Sequence, residues 1–407
     1  MEKYEQITLK NGVRIVYERV PGVRSASLGI WVANGSRCET PAEAGVSHFI
    51  EHMLFKGTST RSAAALAAEM DRFGGQFNAY TSKENTTFYF RTLDEYLPQA
   101  IDVLSDMFTN SLLLDRDMEL ERTVIYEEID MVEDTPDDLV MDKLAQAVYP
   151  DHPLGAPIIG TRESLAPMTG AFLREYMKRH YVPENIVISL AGSFSDAILT
   201  QLSDTFSRIP AAPVPPVLTA SYHAGECLTA KSIEQNHLCL AYPGCTYTAP
   251  ERFSVQVLSN ILGGGMSSRL FQKVREEAGL CYSIYSFSTT HIDTGMFGIY
   301  TGVSSASQAR AESLIHEVID DFLQHGPSDD ELTRTRDQIK TSLLMGLEST
   351  MSRSNRLGQC TLFLGRVPAM EETIACYDAV TRDSVLETAH RLLGDRNLES
   401  RAVVGKI

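Results

Sequence analysis

The stretch GVSHFIEHMLF, residues 45–55, places two histidines and a glutamate inside an otherwise apolar segment. The apolar residues recur at helical spacing, so the segment predicts a buried helix. Because His48 and His52 are four residues apart, they share one face of that helix, and both imidazoles can reach one metal ion. Glu51 lies at the edge of the same face, where a carboxylate can accept a proton without binding the ion.

This H-x-x-E-H pattern favours a metallopeptidase site. In such a site zinc lowers the pKa of its bound water, and the carboxylate takes the proton as the water attacks a peptide carbonyl. The alternative is a structural helix with two hydrogen-bonded histidines. Chance alone gives the pattern in roughly two per cent of chains of this composition, so a third ligand is needed to support the metal hypothesis.

A second predicted helix, ELERTVIYEEIDMVED at residues 119–134, offers that ligand. The 3.6-residue helical repeat places one set of side chains on a common face: Glu121, Val124, Ile125, Glu128 and Val132. Because a charge on an apolar face needs a partner, we assign Glu128 as the third ligand and Glu121 as a residue that orients a ligating histidine. Glu127 and Asp130 fall on the opposite, solvated face. The alternative is that Glu121 and Glu128 pair with Arg or Lys in the core.

The chain divides near its middle at the Pro- and Ala-rich stretch PAAPVPPVLTA, residues 210–220. We predict an N-terminal domain at 1–212, a linker at 213–225 and a C-terminal domain at 226–407. The two halves run through strand, helix, hairpin and helices in a similar order, which suggests internal duplication. The second half carries no H-x-x-E-H pattern, so one metal site per chain is expected.

The segment before the histidines predicts where their helix begins. Thr40-Pro41-Ala42-Glu43 has the capping-box pattern with proline at the first helical position, so the helix should run from there to about Gly57. Farther along, GQFNAYTSKENTTFYFRTL at residues 75–93 alternates and is rich in threonine and aromatic residues. It therefore predicts a β-hairpin.

Charge and composition exclude several classes of partner. The chain of 407 residues has 53 Asp and Glu against 36 Lys and Arg, a formal net charge of −17. This balance argues against nucleic acid and against an anionic membrane surface, and it favours basic peptides. We find neither a secretory signal nor an apolar stretch of membrane-spanning length. Seven cysteines without C-x-x-C spacing fit a reducing cytosol, so we predict a cytoplasmic location.

HFIEH at residues 48–52, followed by MLFKGT, resembles the M16 (pitrilysin-like) metallopeptidases, whose H-x-x-E-H signature defines the inverzincins. The likeness is strongest to the short members, similar to the β subunit of the mitochondrial processing peptidase and its bacterial relatives. The family places its third zinc ligand in an E-x6-E helix, at the interval that separates His52 from Glu128. The resemblance implies that Glu51 is the general base and acid and that Glu121 supports the site.

Two further segments resemble family substrate-binding elements. GGQFNAYTSKENTTFY resembles an edge strand that pairs with an extended substrate, and Asn78, Ala79 and Tyr80 would carry that pairing. The alternative is an ordinary hairpin. In the second half, Arg275 and Tyr282 match an R-x6-Y pair that binds the substrate and stabilises the oxyanion. Without the resemblance, Arg275 would be a surface charge and Tyr282 a core aromatic.

The resemblance implies an α+β fold of the M16/LuxS-like type, with two similar domains that each have a mostly antiparallel sheet covered by helices on one side. It also implies one Zn²⁺ per chain and a peptide or unstructured segment as substrate. A chain of two domains would form its chamber as a homodimer, or as a heterodimer with a metal-less paralogue. Two other classes stay open: a non-catalytic scaffold subunit of the same fold, and a metal-binding module without hydrolysis.

Overall fold

The computed structural model describes residues 4–407, which form two compact units. Unit 1 comprises the described residues up to Ile129, together with Pro157–Leu218 and Leu344–Ala369. Unit 2 comprises Asp130–Ala156, Thr219–Leu343 and Met370–Ile407. The predicted domains at 1–212 and 226–407 follow chain order, whereas each compact unit also contains one segment taken from the other half of the chain.

The strands and helices are numbered in chain order. The strands are β1 (Tyr4–Thr8), β2 (Arg14–Arg19), β3 (Ser25–Val32), β4 (Gln76–Thr81), β5 (Thr86–Leu93), β6 (Ile186–Gly192), β7 (Glu226–Ala230), β8 (Gln235–Pro243), β9 (Cys281–Thr290), β10 (Gly295–Ser304) and β11 (Ser400–Gly405). The α-helices are α1 (Val46–Met53), α2 (Ala63–Arg72), α3 (Leu97–Asn110), α4 (Asp115–Asp134), α5 (Pro136–Val148), α6 (Arg162–Leu165), α7 (Gly170–His180), α8 (Asp196–Phe206), α9 (Arg252–Gly263), α10 (Gln308–His325), α11 (Asp329–Gly346), α12 (Thr350–Leu364), α13 (Met370–Asp378) and α14 (Arg382–Leu393). A π-helix, Phe271–Glu277, precedes β9.

Unit 1 is built on a six-stranded sheet in the order β1-β2-β6-β3-β5-β4. Its pairs are antiparallel except for β2 with β6. The inner face carries buried side chains such as Leu28, Ile30, Phe88 and Phe90, which pack with residues of α1, α3, α7 and α8 in one core. β4 is the last strand of the sheet, so one of its edges is open.

Unit 2 has a five-stranded sheet in the order β7-β11-β8-β10-β9, where only β7 and β11 pair in parallel. Five strands of the unit 1 sheet, β2-β6-β3-β5-β4, follow the same pattern. In each set the first two strands pair in parallel, and every later neighbour pairs antiparallel. The predicted α+β fold with two similar, mostly antiparallel domains is therefore confirmed. Among residues 4–407, no helix is long and apolar enough to cross a membrane.

Helices cover both faces of each sheet, whereas the sequence predicted one covered side. In unit 1, Leu357 of α12 packs in a second cluster with Val16, Trp31 and Val187 on the outer face. In unit 2, α5 covers the face opposite the main core. The reason is that the outer faces of both sheets are apolar enough to need burial.

The contact between α12 and the sheet gives a test of this packing. A Cβ added to Gly358 would lie 2.1–2.6 Å from indole atoms of Trp31. Alanine normally stabilises a helix interior relative to glycine, but here we expect Gly358→Ala to lower the free energy of unfolding by about 1–3 kcal/mol through overpacking. Gly346, at the end of α11, has no atom of the described residues 4–407 within 4 Å of its added Cβ. Urea unfolding should show Gly346→Ala unchanged or slightly stabilised, and an equal response of both variants would contradict the packing.

The predicted start of the histidine helix is wrong. The Thr40–Glu43 capping box forms, but it caps a single 3₁₀ turn, Pro41–Glu43. Gly45 follows with φ of +90°, a left-handed conformation that ends this turn. The helix α1 then begins at Val46 and ends at Met53.

Candidate metal centre

A buried carboxylate holds the N-terminus of α1. Glu39, only 4% exposed, accepts hydrogen bonds from the backbone N–H groups of Gly45 and Ser47, both at 2.8 Å. Burial raises the pKa of Glu39 to about 7, although these hydrogen bonds oppose the shift. N–H groups at a helix start lack partners within the helix, so Glu39 fixes the start of the segment that carries the histidines. Sequence reasoning missed this residue, because the capping-box pattern pointed to Glu43 instead.

Three side chains from two helices converge beside α1. The Nε2 atoms of His48 and His52 are 3.2 Å apart, and Oε2 of Glu128 on α4 lies 3.7 Å and 3.5 Å from them. Ligand atoms bound to one tetrahedral zinc are separated by about 3.3–3.5 Å, given bonds of about 2.0–2.2 Å. The two imidazoles and the carboxylate are therefore spaced so that they could hold a zinc ion, and their role as ligands stays a prediction.

Glu121 contacts the other side of His52. The Nδ1 atom of His52 lies 2.9 Å from Oε1 of Glu121, whose second oxygen contacts the Lys56 ammonium. A proton on Nδ1 leaves the Nε2 lone pair facing His48 and Glu128. The pKa of the Glu121 carboxyl is lowered: burial alone would raise it, but the bonds from His52 and Lys56 outweigh burial. Glu121 thus contacts both a lysine and a histidine, and its role in orienting His52 stays a prediction.

The protonation of the two histidines differs. Burial and the neighbouring His52 lower the pKa of His48 to about 3, so its imidazole is neutral at neutral pH. Burial alone would also lower the pKa of His52, but the hydrogen bond to Glu121 and the charge of Glu128 raise it. A neutral imidazole is the form that binds a metal. His48 is therefore available as a ligand at neutral pH without losing a proton.

Glu51 links the cluster to the edge strand. Its Oε2 accepts a hydrogen bond of 2.5 Å from the hydroxyl of Thr81, the last residue of β4. Burial raises the pKa of Glu51, and the negative charge of Glu128 adds to the rise. A raised pKa suits a carboxyl that must both accept and return a proton. No sequence pattern pointed to Thr81, because this contact joins a helix to a strand thirty positions away.

Only every second residue of β4 directs its backbone N–H and C=O groups toward the open edge of the sheet. Ser82 N–H donates to Asn85 O at 2.7 Å, and the register continues with Tyr80 opposite Thr87 and Asn78 opposite Tyr89. Because antiparallel pairs alternate, the backbone groups of Asn78 and Tyr80 face β5, whereas those of Ala79 face the open edge. Accordingly, the Ala79 N–H donates a hydrogen bond of 2.9 Å to the Asn78 side-chain oxygen and not to β5.

Arg275 and Tyr282 lie in unit 2 and contact each other. Arg275 is on the π-helix and Tyr282 on β9, with the guanidinium carbon 5.1 Å from the Tyr282 ring centre. Tyr282 is 80% exposed, so the alternative that it is a core aromatic is wrong. Both donors are accessible from solvent, and their role toward a substrate stays a prediction.

A helix that carries H-x-x-E-H, with both histidines facing a glutamate from a second helix, defines the inverzincin class of metallopeptidases. Comparisons with known proteins agree. Residues 14–162 match the model described as Insulinase (Peptidase family M16), and residues 167–339 match the Peptidase M16 inactive domain. The chain belongs to peptidase family M16, as its resemblance suggested.

Similar proteins cover almost the whole chain. A Bacillus subtilis protein named "Uncharacterized zinc protease YmxG" is 43% identical over 95% of both chains. "Uncharacterized zinc protease SCO5738" of Streptomyces coelicolor is 39% identical over 98% of this chain and 89% of its own. A crystal structure titled peptidase M16 inactive domain from Pseudomonas fluorescens has a TM-score of 0.92 at 21% identity and covers 100% of this chain and 98% of its own. The crystal structure of a protease from Helicobacter pylori has a TM-score of 0.92 at 19% sequence identity and covers 99% of this chain and 99% of its own. At these identities the two structures show the fold alone.

Proposed function

We propose that the protein is a zinc-dependent endopeptidase that cleaves peptides or unstructured polypeptide segments. The observation that carries the proposal is the convergence of His48, His52 and Glu128 at zinc-ligand spacing. Glu51, three residues along α1 from His48, supplies a carboxylate with a raised pKa. Relatives that are named zinc proteases, at 39–43% identity over nearly the full chain, support the same chemistry.

His48, His52 and Glu128 would hold one zinc ion per chain. When bound, zinc lowers the pKa of a water and polarises a peptide carbonyl. Glu51 accepts the proton of the attacking water and returns it to the leaving amine. Glu121 keeps His52 in the tautomer whose Nε2 is free to bind the metal.

The substrate would bind as an added strand along β4. Ala79 presents backbone groups at the open edge, and the side chain of Thr81 holds Glu51, so a strand paired there passes beside the general base. Asn78, whose side chain occupies the Ala79 N–H, must rotate away first. Arg275 and Tyr282 supply further donors, which would bind the substrate and stabilise the developing oxyanion.

We further propose a cytoplasmic homodimer that encloses the substrate in a chamber. One zinc site on a chain of two similar units supports an assembly of two chains. Size-exclusion chromatography with light scattering should give the mass of two chains. A monomer would contradict the dimer, and a requirement for a second, metal-less chain would replace it with the heterodimer.

The proposal is tested by metal content and cleavage together. Elemental analysis of the purified protein should find one zinc per chain. A quenched-fluorescence peptide library should be cleaved inside the peptides, and a chelator should stop the reaction until zinc is restored. Zinc without cleavage of any peptide would leave a metal-binding module. Absence of both would leave a scaffold subunit of the same fold.

Glu121→Gln should weaken zinc binding by about 10–100-fold, as loss of a carboxylate behind a ligating histidine usually does. Glutamine keeps the shape but loses the charge that pairs with His52 and Lys56. Competition with a chromophoric chelator measures the affinity. Glu127→Gln removes an exposed charge from the same helix and is the control. Equal affinities of the two variants would contradict the orienting role.

A further inference from the structure

A cleft opens at the N-terminal end of β4, away from Glu51. It holds about 510 Å³ and is lined by the turn Gly74–Gly75 and by residues that surround this turn, among them Arg72, Phe73, Arg91 and Tyr96. Gly75 leaves no room for a side chain, because an added Cβ would lie 2.1 Å from the carbonyl oxygen of Arg91. Gly75 immediately precedes β4, so the cleft lies at the start of the edge strand.

The cleft carries positive charge without a compensating acid. Arg72 and Arg91 both line it and are exposed, and no Asp or Glu is among the lining residues. Throughout the part of the chain that the structure describes, neither guanidinium lies within 4 Å of a carboxylate. Two unpaired arginines in one concave surface attract an anion.

The remaining walls suit an anion with an apolar stem. Phe73 and Tyr96 pack ring against ring, with centres 6.0 Å apart. The Tyr96 hydroxyl makes no hydrogen bond with any of residues 4–407, so it can donate to a ligand. A glutamate side chain offers both a carboxylate for the guanidiniums and methylene groups for the rings.

We propose that this cleft is a substrate subsite for a carboxylate, which gives the peptidase a preference at a distance from the cleaved bond. The inference rests on the proposed function, since the substrate must run along β4. From Thr81, beside Glu51, to Gly75 the strand advances six residues, about 20 Å. The carboxylate is either an acidic side chain about five to seven residues from the cleaved bond or the substrate's own C-terminus.

Matched peptides test the subsite. Each pair differs by a single Glu or Gln, placed about five to seven residues from the cleaved bond, and each is made with a free or an amidated C-terminus. We expect the carboxylate peptide to have a kcat/KM about 3- to 10-fold higher, mainly through KM. Arg72→Gln and Arg91→Gln should each reduce this preference, and the double variant should abolish it. Arg208 is an exposed arginine elsewhere in unit 1 that forms no ion pair with residues 4–407, and Arg208→Gln should retain the preference.

A binding experiment separates this inference from the proposed function. The affinity of labelled peptides for the Glu51→Gln protein is measured by fluorescence anisotropy. Cleavage without any preference for Glu, or for a free C-terminus, overturns the subsite proposal but does not contradict the proposed peptidase function. A preference that survives the double arginine variant also overturns it. If wild type cleaves no peptide but the carboxylate peptides still bind more tightly through Arg72 and Arg91, the peptidase proposal fails and the cleft is a carboxylate-binding site without a role in cleavage.

Discussion

Glu51→Gln is expected to lower kcat for peptide cleavage by about 10²- to 10⁴-fold, the usual contribution of a general base. Glutamine has nearly the same shape and can keep the contact with Thr81, but it cannot accept the proton of the attacking water. Glu51 is outside the set of converging ligand atoms, so zinc content should stay at the wild-type value. KM should change little, because the substrate is bound by other groups.

The measurement combines steady-state kinetics with elemental analysis of the same preparation. Glu95→Gln, an exposed glutamate of unit 1 outside the site, is the matched control and should leave both quantities unchanged. Wild-type kcat in the Glu51→Gln protein would remove Glu51 from the mechanism. Loss of zinc in that protein would instead give Glu51 a role in binding the metal.

His52→Ala is expected to weaken zinc binding by more than about 10²-fold, because the loss of a ligand exceeds the effect of removing the carboxylate behind it. The substitution removes one of three ligand atoms and also deprives the buried Glu121 of a hydrogen-bond partner. Cleavage should fall to background at any zinc concentration that leaves the protein soluble. Glu128→Ala should have a similar effect on zinc, but it leaves the contact between His52 and Glu121 in place.

Zinc affinity from chelator competition and residual cleavage are the two readouts for these variants. His390→Ala, an exposed histidine on α14, is the control for loss of an imidazole. If either ligand variant bound zinc as tightly as wild type, the three-residue site would be wrong. Circular dichroism spectra of the variants should match that of wild type, because α1 is held at its start by Glu39, which is not a ligand.

The convergence of the three side chains could be predicted because it depends on regular spacing. The interval between His48 and His52 fixes a common helix face, and the interval between Glu121 and Glu128 does the same on α4. The reason given for α4 was only partly right, since Val124 is 45% exposed and the stripe is not uniformly buried. Glu128 was identified from the helical repeat and from the spacing between the second histidine and the third ligand in the family. The burial pattern did not identify it.

Contacts that join distant elements could not be predicted. Glu39 reaches the start of α1, and Thr81 reaches Glu51, across turns whose geometry has no periodic signal. The start of α1 was placed too early. The capping box does form, but it caps a single 3₁₀ turn that ends before Gly45. The same limit applies to α12. Its buried face is mostly small or polar, so the sequence pattern does not indicate which sheet the helix covers.

The position of α12 in the chain affects how the protein is made. Val16 and Trp31 are synthesised long before their partner Leu357, which follows Trp31 by 326 residues. The first sheet is complete only after β6, which ends at Gly192, and 165 residues separate Gly192 from Leu357. At typical rates of about 5–20 residues per second, its outer face therefore stays uncovered for about 8–33 seconds. The nascent chain therefore exposes an apolar surface until α12 has been synthesised, and a fragment that stops at the Pro-rich segment would never cover it.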